Sequence, residues 1–428
     1  MKHAFYILNI LMLSIGCFGQ DYDYYFIGDT SDIQVSPQFG ICMMGGATEN
    51  DEGARWFIEK ANQGNIMVLR ASGSDGYNDY FYSQLGLNPQ SVETIVFNNA
   101  SASEDPFVLD RISQAEAIWF AGGNQAVYES YWKNSSVETL INQHINAKQY
   151  PIGGTSAGMA ILGEYYFSAT NGTISSSDAL NNPLDNRITV STEFLNIPFL
   201  SNTITDTHYD NPERIGRHTV FMSRLLSENN TMTYGIAADE FVAICIDNNG
   251  IAKVFGEHPN YDDFAYFLRL NCDLRSPQNL SANAPLIWGD SQNEAIKACK
   301  IPGTINGDNN FDLNEWKNID DGEWSDLSAD ASGLILTPNS FESCNLSVED
   351  NQMDTEVFIY PNPVRDLLHI KSTQDIGSIS LISPDGRVLY ENTNTPTIQV
   401  ASFSRGIYHL MIEYENGSTF TRKIIIDP

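Results

Sequence analysis

The chain has 428 residues, and its 54 Asp and Glu outnumber its 23 Lys and Arg for a net charge of −31. That length suits two domains, or three, and the 42% apolar and 11% aromatic content excludes bulk disorder. So acidic a chain has little with which to neutralise phosphates or dock on anionic lipid, so nucleic acid and membrane-surface partners are excluded. The acid is unevenly spread: the first 355 residues carry a net −29, the remainder only −2. A boundary near 355 is expected.

The chain opens with Met1, Lys2 and His3, and an apolar run over 5–15 follows, broken only by Asn9. The run is too short to span a bilayer. With Gly16, Cys17 and Gly19 behind it, it reads as a secretory signal over 1–19, cut near Gly19–Gln20. Cys17 raises a lipoprotein alternative, which Ser14 disfavours by standing where a Leu is usual. Five cysteines remain after such a cut. Cys42 and Cys245 lie in apolar runs and read as buried, inert thiols. Cys272, Cys299 and Cys344 flank polar stretches, so two of them can pair once exported. No spacing of Cys and His suggests a zinc site.

From 40 to about 260, short β-rich runs alternate with helical stretches. Strands are expected at 40–44, 65–70, 94–97, 117–121 and 151–153, with helices at 52–61 and 127–147. Such alternation predicts a largely parallel sheet covered on both faces, with chemistry at the carboxyl ends of the strands. The paired glycines Gly45-Gly46 and Gly122-Gly123 fall at those ends. The acid-rich run 306–330 includes Asp308, Asn310, Asp312 and Asn314 at alternate positions. It lacks the sixth-position glycine and twelfth-position Glu of a calcium loop, so a solvated acidic loop is expected. From 357 onward, seven β-branched or aromatic runs separated by turn residues predict a small antiparallel sandwich. The polar segment 341–355 reads as a linker.

The sequence Gly154-Thr155-Ser156-Ala157-Gly158 after a strand is the nucleophile-elbow pattern, which presents a serine on a tight strand-to-helix turn. Such a serine needs a base and a group to orient it. Of six histidines in the mature chain, His208 is the preferred base because a strand-like run precedes it. His218 is the rival. Backbone N–H groups near Gly123 and Ala157 would hold an oxyanion.

Four ordered motifs carry a specific resemblance: Phe120-Ala121-Gly122-Gly123-Asn124-Gln125, the elbow, Asp206-Thr207-His208-Tyr209, and Gly235-Ile236-Ala237-Ala238-Asp239-Glu240. Ala71-Ser72-Gly73-Ser74-Asp75 fits the same pattern. Over roughly 35–260 the chain resembles the cyanophycinase and dipeptidase E family of serine peptidases. The resemblance implies a three-layer α/β fold of the glutamine-amidotransferase-like kind. It also implies Ser156 as nucleophile, His208 as base, Glu240 as the acid and Gln125 beside the site, with no cofactor. Glu164, Asp178 and Asp239 compete for the acid's place. Asp206 is taken to contact substrate or orient its loop. Arg214, Arg217 and Arg224 stand where the family clusters arginines, with wider spacing here, and would clamp an acidic substrate. The implied partner is a peptide or cyanophycin-like polypeptide, and a homodimer is compatible with it. A surface-displayed binding protein without activity, an Asp-X exopeptidase and a Cys-dependent amidotransferase-like enzyme are the alternatives.

The C-terminal block holds Tyr360-Pro361-Asn362-Pro363, Ser383-Pro384-Asp385-Gly386 and Gly406-Ile407-Tyr408. It resembles the sorting domain of the type IX secretion system. That implies a Gram-negative source, that secretion machinery as a partner, and release or attachment at the cell surface.

Overall fold

A computed structural model describes residues 20–426 except 32, 291–293, 342–343, 345–356, 373–374, 385, 394–396 and 417–418. The expected export signal, with Cys17, and most of the expected linker lie outside the described residues. The chain divides into two compact units, Met1–Cys344 and Asn345–Pro428.

The strands of the first unit are, in chain order, β1 (Tyr22–Gly28), β2 (Ile41–Met44), β3 (Asn65–Arg70), β4 (Ser91–Phe97), β5 (Ala117–Phe120), β6 (Ile152–Thr155), β7 (Tyr165–Phe167), β8 (Val190–Ser191) and β9 (Thr203–Asp206). They continue with β10 (Tyr234–Ala238), β11 (Ala243–Ile246), β12 (Ile251–Phe255), β13 (Phe264–Leu270), β14 (Ile296–Pro302), β15 (Asn309–Asp312), β16 (Lys317–Asn318), β17 (Glu323–Asp330) and β18 (Gly333–Asn339). One sheet runs β1-β4-β3-β5-β6-β2-β11-β12-β15-β16. Its centre, β4-β3-β5-β6-β2, is wholly parallel. These are the five strands that the sequence pattern anticipates.

The sheet is the middle of three layers because alternate residues of each strand face opposite sides. Met67 and Leu69 pack with Val108, Ile112, Trp132 and Ile141 of the helices on one face. Ile66 and Val68 pack with Ala54, Phe57 and Ile58 on the other. The latter three lie on one face of the helix Asp51–Lys60, which Asn50 caps by accepting from the Gly53 N–H.

The sequence did not reveal a second sheet, β18-β17-β14-β13-β10-β9-β7-β8. It is mixed, with β9 parallel to both β10 and β7. Ile236 and Phe267 from it join Ile244 and Val254 of the first sheet in one core. Its other face carries the helix Ile215–Asn229 through Val220, Phe221 and Leu225.

Three expectations need correction. The single helix at 127–147 is two, Gln125–Trp132 and Ser136–Asn146. Asn134 takes a positive φ of 60° between them, and the Ser135 side chain caps the second by accepting from the Glu138 N–H. The acidic run at 306–330 is largely strand, supplying β15, β16 and β17. Its polar side chains bond locally, as when Asn310 donates to Asp320. Finally, the first unit runs past 340. Phe341 packs on Trp324, and Cys344 is joined to Cys272 by a disulfide, which leaves Cys299 a buried free thiol.

In the second unit all seven expected strands form, as a three-stranded and a four-stranded sheet. Leu368, Ile370 and Ile398 from the first meet Ile379, Leu381, Leu410 and Ile412 from the second in a single core. The fold is therefore α/β followed by an all-β sandwich.

The disulfide closes a span of 72 residues. A chain ended after Cys344 should melt like the first unit of the full protein. A chain ended at Ser340 should lose about 2–4 kcal/mol. Thermal melts with and without reductant measure this, and identical melting of the two chains under oxidising conditions would contradict it.

Candidate active site

Ser156 sits between β6 and a short helix, Ala157–Ala160, with φ 51° and ψ −116°. That region is costly for a residue with a Cβ, on the order of 1–3 kcal/mol. The flanking glycines make the turn sterically feasible: a Cβ on Gly158 would lie 2.1 Å from the Phe120 carbonyl oxygen. The elbow is pinned from below, where the Ser156 N–H donates to the Met44 carbonyl at 3.0 Å.

His208 also has a positive φ, 48°. Its N–H donates to the Gly45 carbonyl at 2.9 Å, which holds the residue in that conformation. Its Nε2 lies 2.8 Å from Ser156 Oγ. On the other side its Nδ1 lies 2.6 Å from Glu240 Oε1. Glu240 follows the end of β10, and its own N–H donates to the Asp210 carboxylate at 2.9 Å. Burial pushes the Glu240 carboxyl up. Hydrogen bonds from His208 and Asn211, with the Arg214 guanidinium nearby, outweigh that and hold it below the usual carboxylate range. An ionised Glu240 accepts from Nδ1–H, which leaves Nε2 free to accept from the serine.

The competitors are elsewhere. His218 is fully buried in the helix Ile215–Asn229, and burial lowers it to about 4. Glu164 accepts from the Asn202 N–H, and Asp178 pairs with Arg187. Asp239, next to Glu240 in sequence, points inward to accept from the Phe264 N–H at 3.1 Å.

The substrate-facing expectations fare unevenly. A cavity of about 710 Å³ contains Ser156, His208, Thr155, Gly122 and Gly46. Ala157 begins the helix after Ser156, so its N–H has no partner one turn back. Gly122 rather than Gly123 lines the cavity, and Gly123 packs toward the Tyr128 hydroxyl. Gln125 donates to the Phe167 carbonyl at 3.3 Å, outside that cavity. The arginine clamp needs correction. Arg217 and Asp206 are each about 96–98% buried and bond to one another, with Arg217 Nε 2.8 Å from Asp206 Oδ2. They form a core ion pair, because a buried guanidinium in hydrocarbon surroundings needs a carboxylate. Arg214 donates to the Thr207 carbonyl at 2.8 Å and so supports the histidine loop from behind. Arg224 donates to the Ile188 carbonyl.

Residues that sequence reasoning passed over also line the cavity, among them Glu49, Arg70, Tyr77, Tyr80 and Gln84. Arg70 did carry a signal, as a cation at the carboxyl end of a buried parallel strand in an acidic chain. The described residues contain no cluster of metal-ligating side chains.

Ser156, His208 and Glu240 thus stand in one hydrogen-bond path at the carboxyl edge of a parallel sheet, in the three-layer α/β class. Residues 57–254 match the model of Peptidase family S51, and residues 358–427 match that of the secretion system C-terminal sorting domain. The cyanophycinase of Synechococcus elongatus is 23% identical over 180 residues, which cover 42% of this chain and 50% of that protein. The cyanophycinase of Trichormus variabilis is 22% identical over 171 residues, 40% of this chain and 52% of that one. The chain thus spans about half the length of the curated relatives it matches. Among solved structures, a peptidase from an acI-B1 Actinobacterium aligns at 15% identity with a TM-score of 0.39, over 52% of this chain and 90% of that one. The sorting-domain match supports a secreted or cell-surface protein of a Gram-negative bacterium.

Asp239 generates a stability test. Burial, and then the nearby Asp210 charge, push its carboxyl from the usual carboxylate range up to about 8. The folded state therefore holds a proton that the unfolded chain has released between those values, so stability falls as pH rises through that window. Asp239→Asn should flatten the decline and stabilise the protein at pH 8 by roughly a few kcal/mol. Denaturant melts of both proteins from pH 5 to 8 give the comparison. Parallel curves would show that Asp239 does not carry the effect.

Proposed function

We propose that the protein is an exported serine-type peptidase that cleaves peptide or isopeptide bonds in aspartate-containing substrates through an acyl-enzyme. The observation that carries the reading is the continuous hydrogen-bond path from Ser156 Oγ through His208 to Glu240, with 2.8 and 2.6 Å links. His208 Nε2 takes the serine proton as Oγ attacks the carbonyl carbon. Glu240 holds the ring by Nδ1 and stabilises the imidazolium that forms. Backbone N–H groups at the Gly122-Gly123 turn and at Ala157 receive the oxyanion. Nε2 then gives its proton to the leaving amine, and the amine departs as the acyl–Oγ ester forms. Water, deprotonated by the same nitrogen, hydrolyses the ester and returns the serine.

The match to Peptidase family S51 supports this chemistry, and the cyanophycinase relatives support an aspartyl substrate such as a cyanophycin-like polypeptide. The C-terminal unit serves recognition by the type IX secretion machinery and takes no part in turnover.

A serine-directed phosphonate should label the wild type at one site. Ser156→Ala should keep the native melt, take no label and lose hydrolysis by several orders of magnitude. Cyanophycin, β-aspartyl dipeptides and Asp-X dipeptides form the substrate panel, and the Asp-X members separate an exopeptidase from an enzyme acting within chains. Undiminished turnover by Ser156→Ala would refute the nucleophile assignment, and no turnover or label in the wild type would favour a binding protein without activity.

A further inference from the structure

We infer that Arg70 is the group that reads a substrate carboxylate in this site, a role the sequence had pointed to at Arg214, Arg217 and Arg224. The inference rests on the peptidase reading above and supplies the specificity residue that reading lacks.

Arg70 ends β3, at the edge of the parallel sheet where Ser156 also emerges. Its side chain lines the cavity that holds Ser156 and His208. The segment after it folds back around the guanidinium. Nε donates to the Ser72 carbonyl, and Nη1 donates to the Ser74 carbonyl at 2.8 Å. Gly73 permits this wrap, since it has a φ of +86° and a Cβ there would collide with the guanidinium. The Tyr77 ring lies 5.9 Å from the guanidinium carbon. Two of the five N–H donors are thus spent on fixing the group in place, and three remain.

Two facts separate Arg70 from the other candidates. The chain is strongly acidic, yet among the described residues Arg70 forms no ion pair, while Arg217, Arg187 and Arg111 all do. Arg70 also opens on the cavity, whereas Arg217 is sealed in the core. A guanidinium held by carbonyls, without an ion pair among the described residues and lining the same cavity as Ser156, is preorganised for a carboxylate, which it can take bidentately. Glu49 stands on the same wall and accepts from the Tyr77 hydroxyl. Its charge disfavours a carboxylate at that end and so directs one to Arg70.

The carboxylate can belong to an acidic side chain or to a free chain end, and the experiment separates the two. Matched peptides would differ only as Asp against Asn near the scissile bond, or as free acid against amide at the C-terminus. For whichever position Arg70 reads, the wild type should prefer the acid form. Arg70→Gln keeps an N–H donor for the Ser72 and Ser74 carbonyls but removes the charge. It should cut the acid-over-amide ratio in kcat/KM by roughly ten- to a hundredfold, and Arg70→Lys should cut it less. Calorimetric binding of the same four peptides to Ser156→Ala, alone and combined with Arg70→Gln, reports the same ratio without turnover. Loss of hydrolysis in the wild type with the binding ratio intact would therefore defeat the peptidase reading alone. If Ser156→Ala binds acid and amide forms equally or binds neither, the inference is overturned. The same holds if Arg70→Gln leaves both ratios unchanged, or lowers only thermal stability.

Discussion

The backbone at the exit of β2 is the junction on which the site depends. The Met44 carbonyl accepts from Ser156, and the Gly45 carbonyl accepts from His208. The Gly45 N–H donates to Val242, and the Gly46 carbonyl accepts from the Phe241 N–H, both just past Glu240. Four hydrogen bonds from three consecutive residues thus gather segments that are more than 190 positions apart in the chain. Two of the residues held in this way, Ser156 and His208, have backbone conformations that cost energy. They persist because the junction and the core beneath it over-determine them.

That junction is rigid because β2 is central. It pairs parallel with β6 and antiparallel with β11, and all four of its residues are buried. On one side of it the elbow rises from β6; on the other, the return from β10 to β11 carries Glu240. The second sheet delivers His208 from the end of β9. The site therefore lies where the two sheets converge, and neither sheet alone contains the hydrogen-bond path. The buried Arg217–Asp206 pair belongs to the same design. It anchors the end of β9 to the helix Ile215–Asn229 and so fixes the start of the histidine loop, while Arg214 braces the loop from behind. An ion pair so deep is costly to break, because either charge left alone in the core would be unsolvated.

The sheet register also brings Cys42 opposite Cys245, with their sulfurs 3.6 Å apart. They read from the sequence as separate buried thiols, and only pairing of β2 with β11 makes them neighbours. Arg70 is a similar case. Its place at a strand end is a sequence fact, but its lack of an ion pair among the described residues is a property of the folded surface.

The sequence by itself determined the elements whose signals are local. Buried strands such as β3 and β5 show as apolar runs, the elbow shows as a glycine–serine pattern, and the C-terminal sandwich shows as seven alternating runs with turn residues between them. The resemblance added Glu240, which no local pattern distinguishes from Asp239. The tertiary structure alone decided which polar groups share a cavity. Arg217 and Arg70 are equally charged in the sequence, yet one is neutralised in the core and the other lines the cavity that holds Ser156. Whether a charge finds a partner depends on contacts distant in the chain: Asp206 on β9 pairs with Arg217, while among the described residues no acid forms an ion pair with Arg70. It was likewise only the pairing of β9 with β10 that brought His208 and Glu240, 32 residues apart, to hydrogen-bond distance. Periodicity reports which face of an element is buried, and it carries no information on what that face or its ends will meet.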